Sequence, residues 1–283
     1  MRLDGKKIAE NILSNLKIQV DKLKASDITP TMAVILVGND SNSLIYIKQK
    51  QLKAESIGAQ AKVYKFEEGM KHEEARKLVV KLNNDKSIHG LIIQRPTPVQ
   101  INISELSDLI DPIKEIDGFG KNSIYPVPVA QAVRKLIEEA FKMSGSKQEF
   151  NMWLKDQKIV VIGKGETAGR PIINHLKDLG AKPLIVDRQT KDPDKITKSS
   201  DILISSVGRV NFVTKDKIKK GVVLIGVGLT KNSEGKLVGD YDEEQIKDIS
   251  SFYSPTPGGV GPVNVACLME NLVRAAQTQS SNA

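Results

Sequence analysis

The first half of the chain alternates between short apolar runs and longer stretches with helical spacing. Met32–Val37 is a continuous apolar run of strand length, and Ser43–Ile57 follows it with the spacing of a helix. Further strands are predicted at Ala61–Phe66 and Ile88–Gln94, with a helix at His72–Leu82 between them. Apolar strands separated by helices are typical of a parallel sheet covered on both faces, so the sequence predicts an N-terminal parallel-sheet α/β domain.

A second strand and helix pattern starts after the small, polar stretch Ser144–Glu149. Lys158–Ile162 is predicted to be a strand, and Gly169–Leu179 the helix that follows it. Asn264–Gln277 is predicted to be the last helix, with Asn264 as its N-cap. The remaining strands are predicted at Pro183–Asp187, Asp201–Val207, Val222–Val227 and Ser251–Ser254. This order predicts a Rossmann-like doubly wound domain, and so a chain of two α/β domains.

Composition narrows the class of protein. A chain of 283 residues with 40% hydrophobic and 27% charged residues is globular, which excludes wholesale disorder. No apolar run approaches the roughly 18 residues that a membrane helix needs, and the N-terminus lacks the features of a secretory signal. One cysteine and three histidines argue against a disulfide framework and against a metal site. We therefore predict a cytoplasmic protein without membrane contact.

The charge balance calls for an acidic partner. Lysine and arginine exceed the acidic residues by 8, which suits either nucleic acid or an anionic small molecule. Acidic and basic residues are interleaved, and aromatic residues make up only 4% of the chain. Because few aromatic rings remain for base stacking, nucleic-acid binding is the weaker interpretation.

A glycine-rich turn follows the first strand of the second domain. Gly163–Pro171 places glycines as G-x-G-x-x-x-G between a strand and a helix, where a backbone can approach a pyrophosphate. A tight turn without a ligand would have the same sequence. Asp187, at the end of the next strand, favours NAD, whereas the neighbouring Arg188 favours NADP. These residues alone leave the choice of cofactor open.

Four motifs then carry a resemblance that covers nearly the whole chain. They are VGNDSNSLIYIKQK (Val37–Lys50), GLIIQRPTP (Gly90–Pro98), PIKEIDGF (Pro112–Phe119) and SPTPGGVGPVN (Ser254–Asn264). In this order they resemble the bifunctional methylenetetrahydrofolate dehydrogenase/cyclohydrolase family. The resemblance implies oxidation of methylene-tetrahydrofolate with a nicotinamide cofactor, followed by hydrolysis of the methenyl cation to 10-formyl-tetrahydrofolate. It places this chemistry in one-carbon metabolism and purine biosynthesis, and it implies a homodimer.

The resemblance also implies that the two domains have different roles. The folate-binding catalytic domain would comprise residues 1–119 and 262–283, and the NADP-binding domain residues 120–261, with a cleft between them. Lys50 would be the catalytic residue, held by Gln94, while Tyr46 packs on the folate and Asp117 binds the pterin. A lysine suits this role because a cationic product and burial both lower its pKa.

The remaining site residues come from loops. Pro257, Gly258 and Gly259 would border the folate. The cofactor-binding residues implied by the resemblance are Gly163, Lys164, Gly165, Thr167, Gly169, Arg188, Val207, Gly208 and Val227. Lys164 and Gly165 stand where the family has arginine and serine, and Gly226 where it often has aspartate. We expect NADP as the cofactor, with NAD as the alternative.

Two other functions remain as alternatives at this level. A nicotinamide dehydrogenase of the amino-acid type would share the two-domain architecture, but it gives no joint role to Tyr46, Lys50, Gln94 and the PGGVGP loop. A basic nucleic-acid-binding protein would explain only the charge. The relative rates of the two folate reactions and their physiological direction do not follow from the sequence.

Overall fold

A computed structural model describes residues 1–281 of the chain. It contains two compact units. The three-stranded unit comprises Glu10–Pro128 and the segment from Val265 onward, and the five-stranded unit comprises Met1–Ala9 and Val129–Asn264. Among the described residues, no helix is both long enough and apolar enough to span a bilayer.

The elements follow one another as alternating helices and strands. In chain order they are α1 (Gly5–Lys24), β1 (Thr31–Val37), α2 (Ser41–Ser56), β2 (Gln60–Phe66), α3 (His72–Asn84), β3 (Gly90–Ile93), α4 (Ile103–Leu109), α5 (Pro128–Ser144), α6 (Phe150–Asp156), β4 (Ile159–Ile162), α7 (Gly169–Asp178), β5 (Leu184–Val186), α8 (Pro193–Thr197), β6 (Ile202–Ser205), β7 (Val223–Gly226), β8 (Leu229–Lys231), β9 (Leu237–Gly239), α9 (Glu243–Ile246), β10 (Phe252–Tyr253) and α10 (Val260–Ser281). A short 3₁₀ turn covers Lys215–Lys217.

The three-stranded unit is built on a parallel sheet in the order β2-β1-β3. All seven residues of the central strand β1 are buried, as its continuous apolar sequence predicts. Apolar residues of β1 and β3 pack with the buried faces of α3 and α4 into one core. Because β1 lies between strands that follow it in the chain, the sheet reverses its winding direction between β1 and β3. Ligands of α/β sheets bind at such a point, outside the carboxyl ends of the strands.

The five-stranded unit is built on a parallel sheet in the order β10-β7-β6-β4-β5. Read from β5, and numbered within the unit, this is the doubly wound order 2-1-3-4-5. Its winding direction reverses between β4 and β6, whose residues are buried. The predicted Rossmann-like doubly wound domain is therefore confirmed. The antiparallel pair β8 and β9 is an addition that the sequence pattern did not indicate.

The last helix begins earlier than predicted. α10 starts at Val260, so Asn264 lies inside the helix and the prediction that it is the N-cap is wrong. The glycines and prolines of Pro255–Pro262 indicated a loop that would end before Asn264. In the first turn, however, a proline lacks only an N–H group that would have no partner within the helix.

The N-terminal residues join the five-stranded unit, whereas the sequence predicted residues 1–119 as part of the catalytic domain. Leu3 N donates to the Tyr253 carbonyl at 2.8 Å, and Tyr253 N donates to the Met1 carbonyl at 3.0 Å. Arg2 and Tyr253 thereby form a parallel bridge. These bonds add one short strand-like segment to the sheet, alongside its edge strand β10.

Candidate functional site

Two loops meet at the carboxyl ends of β1 and β3. After β1, Asp40 caps α2 by accepting a hydrogen bond from Ser43 N at 2.7 Å. After β3, Gln94 N continues the sheet by donating to the Ile35 carbonyl at 2.9 Å. The Ser43 hydroxyl then donates to the Arg95 carbonyl at 3.3 Å. The start of α2 is thus tied to the end of β3.

Lys50 and Gln94 form the central contact of this region. Lys50 Nζ donates to Gln94 Oε1 at 3.0 Å. The Gln94 side chain is buried, and its Nε2 donates to the Arg95 carbonyl at 2.8 Å. Because both ends of the amide are engaged, Gln94 holds its oxygen toward the lysine. This is the contact that the sequence resemblance implied.

Burial shifts the ionisation of the side chains in this region. It lowers the pKa of Lys50, and the Asp117 carboxylate acts in the opposite direction. Tyr46 lies one helical turn before Lys50 on α2, with 40% of its surface exposed, and partial burial raises the pKa of its hydroxyl. The structure therefore brings Tyr46, Lys50, Gln94 and Asp117 into one region of the three-stranded unit.

The segment that carries Asp117 is fixed by residues that the sequence interpretation missed. Lys114 is buried, and its Nζ donates to the carbonyls of Leu82, Asn83 and Asp85 at 3.2, 2.7 and 2.8 Å. It thereby satisfies carbonyls at the end of α3 that have no partner within the helix. From α10, Asn271 Nδ2 donates to the Ile116 carbonyl at 2.8 Å. Lys114 belongs to the PIKEIDGF motif, but nothing in its sequence shows that it is buried.

Glu115 is a second ionisable residue of this segment that the sequence interpretation did not consider. Only 2% of its surface is exposed. Burial raises the pKa of its carboxyl to about 7, against a hydrogen bond from Ser123 that lowers it, and the Asp117 charge adds to the rise. Its Oε2 atom has no hydrogen-bond partner. A buried carboxyl beside Asp117 therefore titrates near neutral pH.

The glycine-rich turn opens the second candidate region. Gly163 has a φ angle of +90°, and a Cβ atom on Gly169 would lie 2.2 Å from the Gly163 carbonyl oxygen. Both positions therefore require glycine. A Cβ on Gly165 would meet nothing within 4 Å, so the outer side of the turn is open. This is the close backbone approach that a dinucleotide needs at the start of α7.

A cavity of about 750 Å³ opens beyond this turn. Of the residues predicted to bind the cofactor, Gly163, Lys164, Gly165, Arg188 and Val207 line it. Thr167, Gly169, Gly208 and Val227 do not line this cavity. The sequence interpretation missed two basic lining residues, Arg209 and Lys217, because they lie outside any motif.

Asp187 and Arg188, which favour NAD and NADP respectively, both line this cavity. Lys164 Nζ lies 2.7 Å from Asp187 Oδ2. Asp187 Oδ1 accepts hydrogen bonds from Gln189 N at 2.9 Å and from the Thr190 hydroxyl at 3.1 Å. The bond from Lys164 is the largest of the contacts that hold the pKa of Asp187 below its usual range. The carboxylate is thus occupied within the protein, while Arg188 also lines the cavity.

The PGGVGP motif lies in the five-stranded unit; its first three residues belong to the loop after β10, and its last three form the start of α10. Gly258 has a φ angle of +110°, and a Cβ on Gly259 would lie 2.6 Å from the Pro255 carbonyl oxygen. Pro257 follows a cis peptide bond. Only glycine fits the two positions after Pro257 without strain.

The class of protein follows from these observations. A glycine turn at the first strand of a 2-1-3-4-5 sheet, with a basic cavity beyond it, defines a Rossmann-type dinucleotide-binding unit. The three-stranded unit carries a half-buried lysine, Lys50, hydrogen-bonded to the buried amide of Gln94. Residues 3–117 match the model of the tetrahydrofolate dehydrogenase/cyclohydrolase catalytic domain, and residues 146–280 match that of the NAD(P)-binding domain of the same proteins. The chain belongs to the tetrahydrofolate dehydrogenase/cyclohydrolase family.

Full-length relatives agree with this family. The bifunctional protein FolD of Nautilia profundicola is 36% identical over 97% of this chain and 96% of the relative. The structure of the bifunctional FolD enzyme from Campylobacter jejuni has a TM-score of 0.91 at 32% identity, covering 98% of this chain and 99% of the other. The Trypanosoma brucei enzyme, complexed with NADP and an inhibitor, has a TM-score of 0.89 at 26% identity, covering 100% and 99%.

Proposed function

We propose that the protein oxidises methylene-tetrahydrofolate to methenyl-tetrahydrofolate with NADP and then hydrolyses this cation to 10-formyl-tetrahydrofolate. The observation that carries the proposal is the contact between Lys50 and Gln94, beside Asp117, in a chain of this family. The relatives from N. profundicola and C. jejuni are both named as bifunctional proteins. A dehydrogenase of the amino-acid type gives no joint role to Tyr46, Lys50, Gln94 and the PGGVGP loop.

Lys50 is proposed as the base of the hydrolytic step. Because burial lowers its pKa, more of its amine is neutral near pH 7 than in an ordinary lysine. A neutral amine can take a proton from the water that attacks the methenyl carbon. The positive charge of the methenyl group disfavours the ammonium form further. The negative charge of Asp117 raises the pKa of Lys50 and so opposes these effects.

Gln94, Asp117 and Tyr46 are proposed to orient the reacting groups. Gln94 fixes the direction of the Lys50 amine through their 3.0 Å hydrogen bond. A carboxylate can accept a pair of hydrogen bonds from the amino group and ring N–H of a pterin, which suits Asp117. Tyr46 offers a partly exposed ring one turn from Lys50, on which a flat heterocycle can stack. Pro257, Gly258 and Gly259 remain predicted folate-binding residues.

NADP is the proposed cofactor because the residues around the glycine turn suit it. When bound, NADP supplies the acceptor for the hydride. The backbone at Gly163–Gly169 leaves room for a pyrophosphate at the start of α7. Arg188 and Arg209 line the cavity beyond it, whereas the Asp187 carboxylate is occupied by Lys164. This arrangement favours a 2′-phosphate over a free ribose hydroxyl. Thr167, Gly169, Gly208 and Val227 stay in the proposed cofactor set as residues that shape the surrounding loops.

The homodimer and the cytoplasmic location are also proposed. The edge strand β5 exposes two consecutive apolar residues, Leu184 at 44% and Ile185 at 38%. Since consecutive strand residues face opposite sides of a sheet, both faces are apolar at this edge. We propose that a second copy of this chain covers this edge.

The cytoplasmic location is proposed separately. Fractionation of cells would check it, because recovery of the protein with membranes would contradict a cytoplasmic location.

The role of Lys50 is tested by substitution. In Lys50→Met the side chain keeps its length but can no longer accept a proton. We expect the hydrolysis of methenyl-tetrahydrofolate to slow by roughly 100-fold or more. The rate is measured as the loss of the absorbance of methenyl-tetrahydrofolate. Lys48→Met is the matched control, because Lys48 is an exposed lysine of the same helix and should keep the wild-type rate. Hydrolysis at the wild-type rate by folded Lys50→Met would contradict the proposal.

A further inference from the structure

Asp240 is a fully buried carboxylate that directly follows β9, and 0% of its surface is exposed. Its Oδ2 atom accepts hydrogen bonds from the Ser205 hydroxyl at 2.7 Å and from Val207 N at 3.1 Å. Its Oδ1 atom accepts a hydrogen bond from Arg209 N at 2.8 Å. Both oxygens are therefore bonded to one short segment, Ser205–Arg209.

This segment lies where the sheet of the five-stranded unit is expected to bind a ligand. It starts at the carboxyl end of β6, on one side of the point where the sheet reverses its winding direction. The glycine turn after β4 lies on the other side of that point. Ser206, Val207 and Arg209 all line the 750 Å³ cavity. Asp240 does not line the cavity, and its carboxylate acts on the cavity wall through this segment.

The carboxylate has no room to move. A Cβ atom on Gly228 would lie 2.3 and 2.4 Å from its two oxygens, so the backbone packs directly against it. The next residue, Tyr241, is also buried, and its hydroxyl lies 3.1 Å from Ser254 Oγ, which accepts a hydrogen bond from Gly226 N at 2.8 Å. A Cβ on Gly226 would approach the Tyr241 ring to 2.9 Å. This crowding explains why glycine occupies position 226.

We propose that Asp240 is a positioning residue for the dinucleotide cofactor, because it fixes the Ser205–Arg209 segment in the shape that forms one wall of the cavity. The identity of the cofactor rests on the proposed function. A carboxylate is required, since it only accepts hydrogen bonds. An amide would turn its NH₂ group toward a backbone N–H in either orientation, because Val207 and Arg209 each donate to a different oxygen.

Asp240→Asn tests this role with little change in volume. We expect the dissociation constant of NADP, measured by calorimetry without folate, to rise by about tenfold or more. The folate KM and the kcat at saturating NADP should stay within about threefold of the wild type, since the segment serves the cofactor. Asp242→Asn is the matched control. Asp242 caps α9 through Glu244 N at 3.0 Å, and its loss should leave NADP binding unchanged.

Amide hydrogen exchange separates this proposal from the proposed function. Exchange at Val207 and Arg209 should be faster in Asp240→Asn than in the wild type, whichever ligand the cavity takes. A wild-type protein that binds neither NADP nor NAD would contradict the proposed cofactor, and the exchange rates would still decide the role of Asp240. Folded Asp240→Asn with wild-type exchange and NADP affinity would overturn the inference. If this variant does not fold, Ser205→Ala decides: about threefold weaker NADP binding supports the inference, and unchanged binding overturns it.

Discussion

At the scale of single residues, the three-stranded unit holds two ionisable groups whose pKa values are shifted toward the neutral form, the half-buried Lys50 and the buried Glu115. Burial lowers the pKa of Lys50 and raises that of Glu115 to about 7. Asp117 acts on both, because its charge raises each of these pKa values. The carboxylate proposed to bind the pterin therefore acts on an amine whose pKa burial lowers and on a carboxyl whose pKa burial raises to about 7.

Glu115 makes the stability of the protein depend on pH. An ordinary glutamate of the unfolded chain ionises near pH 4.5, whereas Glu115 in the folded state does so at about pH 7. The folded state is therefore penalised increasingly as pH rises from 4.5 to 7, by roughly 3 kcal/mol in full. Glu115→Gln removes this penalty. We expect its melting temperature, relative to the wild type, to be higher at pH 8 than at pH 5.

The control for this comparison is Glu67→Gln, which changes an exposed glutamate of the same unit. Its melting temperature should follow the wild type at both pH values. A difference between Glu115→Gln and the wild type that does not vary with pH would show that Glu115 ionises normally in the folded protein.

Residue types alone show only part of this region. Lys50, Gln94 and Asp117 lie in motifs that resemble the family, so they were candidates from the sequence. Lys114 and Glu115 lie in the same motif as Asp117, but the sequence does not show that they are buried, because a lysine and a glutamate are ordinarily solvated. Only the fold shows that one caps α3 and that the other is buried beside Asp117.

At the scale of elements, continuous apolar runs predicted the buried strands of both parallel sheets, such as β1, β4 and β6. Such runs are reliable because strands of a parallel sheet are buried on both faces. The hairpin of β8 and β9 escaped prediction, since each strand has three residues and β8 is partly exposed. Asp240 and Tyr241 follow this hairpin directly. The element hardest to predict is therefore followed by residues that form hydrogen bonds at the ends of β6 and β10.

The edge strand β5 predicts how two copies associate. Ile185→Lys places a charge on this edge, where burial against a second copy would cost its desolvation. We expect the wild type to be a dimer and Ile185→Lys a monomer by light scattering at micromolar concentration. Leu237→Lys is the matched control, because Leu237 is an exposed apolar residue of β9 and should leave the dimer intact. A dimeric Ile185→Lys would mean that another surface holds the copies together.

At the scale of the whole molecule, the excess of 8 positive charges is consistent with a protein that binds anionic ligands. Folate carries carboxylates and NADP carries phosphates, so a basic cavity would raise their local concentration. Lys164, Arg188, Arg209 and Lys217 line the cavity with only two acidic residues, Asp187 and Asp194. The excess of positive charge therefore needs no nucleic-acid partner to explain it. Separately, among residues 1–281, no group of histidine, cysteine or acidic side chains is placed to hold a metal ion.

We propose that this one chain carries out both folate reactions with NADP. Purified wild-type protein is incubated with methylene-tetrahydrofolate and either NADP or NAD, while reduced cofactor, methenyl and formyl products are followed together. We predict reduction of NADP in step with folate oxidation, slower reduction of NAD, and conversion of the methenyl product to 10-formyl-tetrahydrofolate faster than without protein. The absence of a methenyl signal with either cofactor would contradict the dehydrogenase assignment, and methenyl that accumulates without faster hydrolysis would contradict the second activity.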